Sequence, residues 1–175
     1  MQKPQVSIYS SCMTQRSEVA ILAGGCFWGM EDILRKVPGV LDTEVGYTGG
    51  QLENPRYEQV KTGTTGHAEA IRIEFDSLRL SFKTILIEFF FKMHDPTTLN
   101  RQGGDVGSQY RSAIFFVDEA QRLVAEEAIR EAAPLWPQTI VTELVPAAPF
   151  YGAEAYHQDY LQKNPGGYTC HWLRR

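Results

Sequence analysis

The sequence predicts an α+β protein: a two-layer sandwich with a ferredoxin-like, split βαβ core and an irregular C-terminal tail. Three observations carry this. Apolar residues alternate with period two over Ala68 to Phe75 and recur at helical spacing over Phe82 to Met93. The elements follow in the order β-α-β-β-α-β, with a further helix and strand behind them.

Residues 1–16, rich in Ser, Gln and Thr, sustain no period and read as a flexible N-terminal arm. One domain is expected over 17–163. Val19 to Ala23 is a short apolar run stopped by Gly24-Gly25, which suits a buried strand turning sharply. Phe27, Met30, Ile33, Leu34 and Val37 then repeat at helical spacing until Pro38-Gly39. Val40 to Tyr47 alternates as a strand, Thr48 to Pro55 reads as loop, and Ala68 to Phe75 is the clearest strand. Phe82, Ile85, Leu86, Phe89, Phe90 and Met93 form the apolar face of a helix. Ser112 to Val117 follows as a strand, Glu119 to Ala132 as a helix, and the β-branched Thr139 to Val145 as a last strand. After a short helical stretch over Glu154 to Gln162, residues 164–175 have no period and form the expected flexible tail, which carries Cys170.

Composition narrows the function. Of 175 residues, 43% are hydrophobic and 22% charged, and 17 basic against 21 acidic side chains leave no cationic surplus for nucleic acid or anionic lipid. No apolar run suits an export signal or a membrane span. Ile21 to Cys26 imitates a lipoprotein cleavage site, but the extra glycine and Glu18 spoil it. Three scattered cysteines, Cys12, Cys26 and Cys170, fit a reducing compartment better than a disulfide scaffold, so the expected location is the cytoplasm.

Cys26 opens a predicted helix, where free N–H groups and the positive dipole end favour a thiolate. A small buried residue at a turn is the plain alternative. The aromatic neighbours Phe27 and Trp28 cannot both point into the core from a first helical turn, so one is free to wall a pocket beside the sulfur. Glu69 sits on an alternating strand and could face solvent. Tyr57 and Tyr110 could be ordinary half-buried tyrosines, and Asp105, among glycines, a turn former. His67, His94 and His157 have no ligand-like spacing, so no metal is expected.

Gly24-Gly25-Cys26-Phe27-Trp28-Gly29 closely resembles the active-site signature of the A-type peptide methionine sulfoxide reductases. Gly46-Tyr47-Thr48-Gly49-Gly50, Asn54-Pro55-Arg56-Tyr57, Thr65-Gly66-His67-Ala68-Glu69 and the stretch from His94 to Ser112 also resemble that family's blocks, in its order. The resemblance runs from about Val19 to Cys170. It implies one catalytic domain that reduces methionine-S-sulfoxide, free or in oxidised proteins, as protein repair under oxidative stress. By resemblance, Cys26 attacks the sulfur, Glu69 donates a proton to the oxygen, Tyr57 and Tyr110 hydrogen-bond that oxygen, and Asp105 supports the polar side. Phe27 and Trp28 hold the methyl. Cys26 is left as a sulfenic acid, which condenses readily with a second thiol. The resemblance points to Cys170 as that resolving thiol, giving a Cys26–Cys170 disulfide, thioredoxin as reductant, no cofactor and a monomer. The segment from Lys163 to Cys170 spans roughly 26–29 Å if extended, which leaves slack for such a bond.

Two departures bear on the relay: Lys61 stands where many relatives carry a cysteine, and no cysteine follows Cys170. Cys12 is either idle or an alternative partner for Cys170. Two other readings stay open, a cysteine hydrolase or acyltransferase and a non-enzymatic peptide-binding module.

Overall fold

The structure, a computed structural model, describes residues 16–175; all of the expected arm but Arg16, Cys12 included, lies outside them. β1 (Ser17–Gly24) is the hub of the sheet. Its inner half, Ala20 to Gly24, is buried, and a turn at Gly25, with φ +99°, leads into α1 (Phe27–Leu34). Phe27, Met30 and Leu34 put one face of α1 into the core. The helix is shorter than the pattern up to Val37, because the last bonds, Lys36 N–H to Ile33 and Val37 N–H to Leu34, are three-residue turns.

β2 (Val40–Thr48) carries an irregularity between Val40 and Asp42. A single turn, α2 (Tyr57–Val60), interrupts the loop, and β3 (Ala68–Asp76) follows. The next helical stretch is continuous but not uniform. α3 (Phe82–Thr84), capped by Ser81 Oγ accepting from Thr84 N–H at 3.0 Å, runs into π-helical turns over Ile85–Phe90 and then α4 (Phe91–Met93). The wider turn rotates the buried face: Phe91 is buried and Phe89 only partly so, where uniform α-helical spacing puts Phe89 inside.

β4 (Arg101–Gln102) and β5 (Asp105–Val106) form a small hairpin around Gly103-Gly104. β6 (Ser112–Phe116) leads to α5 (Glu119–Ala132), whose span matches the expectation; Asp118 Oδ1 accepts from Gln121 N–H at 2.8 Å as its N-cap. β7 (Glu143–Pro146) is shorter than Thr139 to Val145. Its pairing starts at Glu143 opposite Ala113, and Val141 N–H bonds to Pro96 O instead. β8 (Tyr151–Gly152), which no period announced, pairs with β2. The helical stretch expected over Glu154 to Gln162 is turns followed by α6 (Tyr160–Lys163).

The strand order is β7-β6-β1-β3-β2-β8, antiparallel except between β6 and β7. The fold is therefore mixed α+β around a mostly antiparallel sheet. Leu22, Ile71, Ile73, Phe75 and Ile114 meet Met30, Leu34, Ile85, Leu86, Phe90 and Ala128 in the main core. Ile21, Ala23, Ala68, Ala70, Ala113 and Phe115 make a smaller cluster with Val145 and Phe150.

The C-terminal tail is irregular but docked. His171 Nε2 donates to Gly24 O at 2.7 Å, and Arg174 donates to Lys92 O and His94 O at 3.1 and 3.0 Å. The guanidinium also lies over Trp172 and Trp136, 4.5 and 5.1 Å from the ring centres. The expected flexible tail is thus held by two side chains that reach main-chain carbonyls. In the main core, Ile73→Ala is expected to lower the unfolding free energy by about 2–5 kcal/mol in urea titrations; a loss under about 1 kcal/mol would show that this site collapses onto the gap.

Candidate active site

Cys26 follows Gly25 in the two-residue turn between β1 and α1 and is the N-cap position of the helix, so its thiol stands at the helix start. Glu69 is the second residue of β3 and shares strand parity with Ile71, Ile73 and Phe75. It therefore faces the helix-covered side and is only 2% exposed. Its Oε2 accepts the Phe27 backbone N–H at 3.2 Å, which ties the start of α1 to β3. Tyr57 opens α2, Asp105 lies on β5, and Tyr110 ends the 3₁₀ turn Ser108–Tyr110. Cys26, Phe27, Trp28, Tyr57, Glu69, Asp105 and Tyr110 line one cavity of about 300 Å³. All the residues expected at the site except Cys170 line it directly.

Burial governs the protonation of this cavity. It pushes the Glu69 carboxyl up to about 8, with the Phe27 N–H pulling the other way and the Asp105 charge adding to the rise. Glu69 is thus a neutral acid at physiological pH. Burial, then the Glu69 charge, raises the Cys26 thiol, while the Trp28 N–H at the first turn opposes this without forming a full cap bond. Tyr57 and Tyr110 are raised by burial first and Glu69 second, so both phenols keep their hydrogens and can donate.

The aromatic wall is held from behind. Trp28 Nε1–H donates to His157 Nδ1 at 3.0 Å, and its indole stacks on Tyr160 with 3.7 Å between ring centres. Glu154 accepts from Tyr47 OH and from Tyr57 N–H, both at 2.9 Å, and so fixes the start of α2 beside β2. His67 and His94 are spent on structure: His67 accepts from Gly50 N–H, and His94 bonds Phe90 O and Ser112 Oγ. Among the described residues no three His, Cys, Asp or Glu side chains are grouped to hold a metal ion.

Cys26 and Cys170 are both free thiols here. The docked tail nevertheless brings Cys170 to the site: burial and then the Asp105 charge raise its thiol, the Cys26 backbone N–H opposes them, and its charge in turn raises Cys26. Cys170 Sγ lies 3.8 Å from Asp105 Oδ2, an oxygen that also accepts from Tyr168 OH at 3.1 Å. Space for the tail is made by glycine. A methyl group on Gly29 would stand 2.5 Å from His171 Nδ1 and closer still to Thr169 Oγ1.

Residue reasoning missed four contributors. Tyr168 lines the cavity, His157 and Tyr160 hold Trp28, and Glu154 carries Tyr57. Only Tyr168 had a sequence signal, its place two residues before Cys170. The site combines a nucleophile, a neutral acid, two phenols and an aromatic wall around one small hollow, with a second thiol at its edge.

The model of the family described as peptide methionine sulfoxide reductase matches residues 18–174. A relative named peptide methionine sulfoxide reductase MsrA, from Leifsonia xyli subsp. xyli, is 58% identical over 164 residues, 93% of this chain and 92% of its own. Among solved structures, reduced Mxr1 from Saccharomyces cerevisiae superposes with a TM-score of 0.87 at 38% identity, covering 91% of this chain and 93% of that one. Mxr1 in complex with Trx2 superposes with a TM-score of 0.63 at 26% identity, covering 91% of each.

Two outcomes follow from the site's geometry. Between the carboxyl's ordinary 4.5 and its folded value of about 8, the folded state holds a proton that the unfolded state has released. Stability should therefore fall as pH rises through that window, by up to about 1.4 kcal/mol per pH unit, and Glu69→Gln should abolish this contribution in urea titrations across the window. Gly29→Ala should displace the tail, so that iodoacetamide alkylates Cys170 faster than in the unaltered protein. Equal rates would mean the tail does not need that berth.

Proposed function

The chain belongs to the peptide methionine sulfoxide reductase family, and from that premise we propose that Cys26 reduces methionine-S-sulfoxide, free or in oxidised proteins, to methionine. The carrying observation is that Cys26 and the neutral, buried Glu69 line the same small cavity, with Cys170 at its edge. A sulfoxide needs a nucleophile for its sulfur, a proton for its oxygen and an apolar slot for its methyl. Cys26 Sγ attacks the sulfur as Glu69 protonates the oxygen, and Tyr57 and Tyr110 donate hydrogen bonds to that oxygen as it gains negative charge. Asp105 supports the polar side, and Phe27 with Trp28 receives the methyl. The oxygen passes to Cys26 and the cysteine proton restores Glu69, so methionine leaves and a Cys26 sulfenic acid remains. Cys170 then attacks that sulfur, expelling water and forming a Cys26–Cys170 disulfide, which a dithiol reduces.

Thioredoxin is the proposed dithiol; the structure of Mxr1 in complex with Trx2 supports this. No cofactor is needed, since each electron pair moves between sulfur atoms. The same reading takes 17–163 as the catalytic domain of a cytoplasmic monomer, with 164–175 as the resolving tail. It also takes the core as a split βαβ unit, which the neighbour order β6-β1-β3-β2 supports. A hydrolase would need a base beside its nucleophile. Among the described residues, no histidine hydrogen-bonds Cys26 Sγ, and His157 instead takes the Trp28 N–H.

The fully reduced protein, incubated with racemic N-acetyl-methionine sulfoxide and no other reductant, should release close to one thioether per chain from the S epimer alone. A Cys26–Cys170 disulfide should form in step. A folded sample with no product and unchanged thiols overturns the reading. Glu69→Gln should slow thioether formation by about 10²–10⁴-fold, and in the unaltered protein the rate should decline as pH rises through about 8.

A further inference from the structure

We propose that His171 is the general base that takes the proton from Cys170 as the disulfide forms, an inference that rests on the reductase reading above. The argument starts at Gly24. A main-chain carbonyl has no hydrogen to give, so the 2.7 Å contact between Gly24 O and His171 Nε2 requires the hydrogen on Nε2. In the neutral ring Nδ1 then carries a bare lone pair. That nitrogen lies 3.5 Å from Cys170 Sγ, within reach of the thiol hydrogen.

The imidazole is built into place. His171 is only 7% exposed, and its backbone N–H is held by Thr169 Oγ1 at 3.1 Å. Gly29 leaves the room it fills, since a methyl group there would stand 2.5 Å from Nδ1. Burial, with Arg174 nearby, holds the ring's basicity down to about 4, so it is neutral at physiological pH and, as a weak base, takes the hydrogen only in concert with S–S bond formation. The other acceptor near the thiol, Asp105 Oδ2, is farther away at 3.8 Å and already takes the Tyr168 hydroxyl hydrogen.

The step balances without an outside reagent. The Cys170 hydrogen moves to Nδ1 while the sulfur electron pair forms the S–S bond to Cys26. The S–O bond of the sulfenic acid breaks, and the departing hydroxyl takes the proton back from the imidazole and leaves as water. Cys170 sulfur is oxidised, the sulfenic sulfur is reduced, and His171 ends neutral, as it began.

A single-turnover experiment with N-acetyl-methionine sulfoxide, using dimedone to trap sulfenic acid, separates thioether release from disulfide closure. In His171→Gln the amide nitrogen can keep the bond to Gly24, but nothing replaces Nδ1. Thioether should still appear in a burst, whereas disulfide closure should slow by about 10²-fold or more and dimedone-labelled Cys26 should accumulate. Closure at the unaltered rate in this variant overturns the proposal, as does slow closure in Asp105→Asn without it in His171→Gln. In the unaltered protein, the imidazole nitrogen chemical shifts of His171 at neutral pH should report the Nε2–H tautomer; the Nδ1–H tautomer overturns the proposal without any substitution. If the unaltered protein releases no thioether, the reductase reading itself fails and this inference falls with it.

Discussion

The hydrogen bond from the Phe27 backbone to the Glu69 carboxyl joins the two elements that the cavity is built on, the helix that begins beside Cys26 and the strand that carries Glu69. One neutral donor does not offset the loss of water around a buried carboxylate, so desolvation wins and the group keeps its proton. The same burial that places the acid also makes it an acid at physiological pH. Cys26 shifts in the same sense, since the desolvation that protonates Glu69 also holds the thiol in its protonated form. The cavity therefore stores hydrogens on both groups, and the proposed chemistry begins by moving one of them to an incoming oxygen.

Around that pair the molecule is arranged in two supports. Behind the aromatic wall, the loops after β8 deliver Glu154, His157 and Tyr160, which fix Tyr57 and Trp28. Deep in the chain, Glu31 continues this support: its carboxyl accepts the Asp159 N–H at 2.9 Å, and Arg35, just past the end of the same helix, pairs with the Asp159 side chain. Asp159 has φ +55°, so these bonds hold a strained residue immediately before the tyrosine that stacks on Trp28. The other support is the tail, which packs beside Cys26 only because Gly29 lacks a side chain that would collide with Thr169 and His171.

Much of this was legible in residue patterns, and the failures have definite causes. The span of α5 follows from its apolar spacing and the Asp118 cap, and β3 from its alternation. The burial of Glu69 was also written there, because it shares parity with Ile71, Ile73 and Phe75, a phase that excludes the solvent-facing alternative. Phe89 was placed inside because a uniform 3.6-residue period is assumed, and π turns break it. β8 is two residues long and exists through its partner β2, so no local period marks it. The site residues identified from short motifs do meet in one cavity, whereas His157, Glu154 and Tyr160 act through contacts more than ninety positions away, which spacing does not encode.

The bond between Gly24 and His171 closes a loop of 147 positions. During synthesis, the central strand, the nucleophile and the acid all leave the ribosome well before the residues that complete this contact. The contact that holds Cys170 beside the cavity can thus form only after the rest of the site has been made. Under the proposed cycle, a chain clipped just after Tyr168 would keep Cys26 and Glu69 yet lose Cys170. Such a molecule would be a single-use reagent, stranded as a sulfenic acid and open to further, irreversible oxidation.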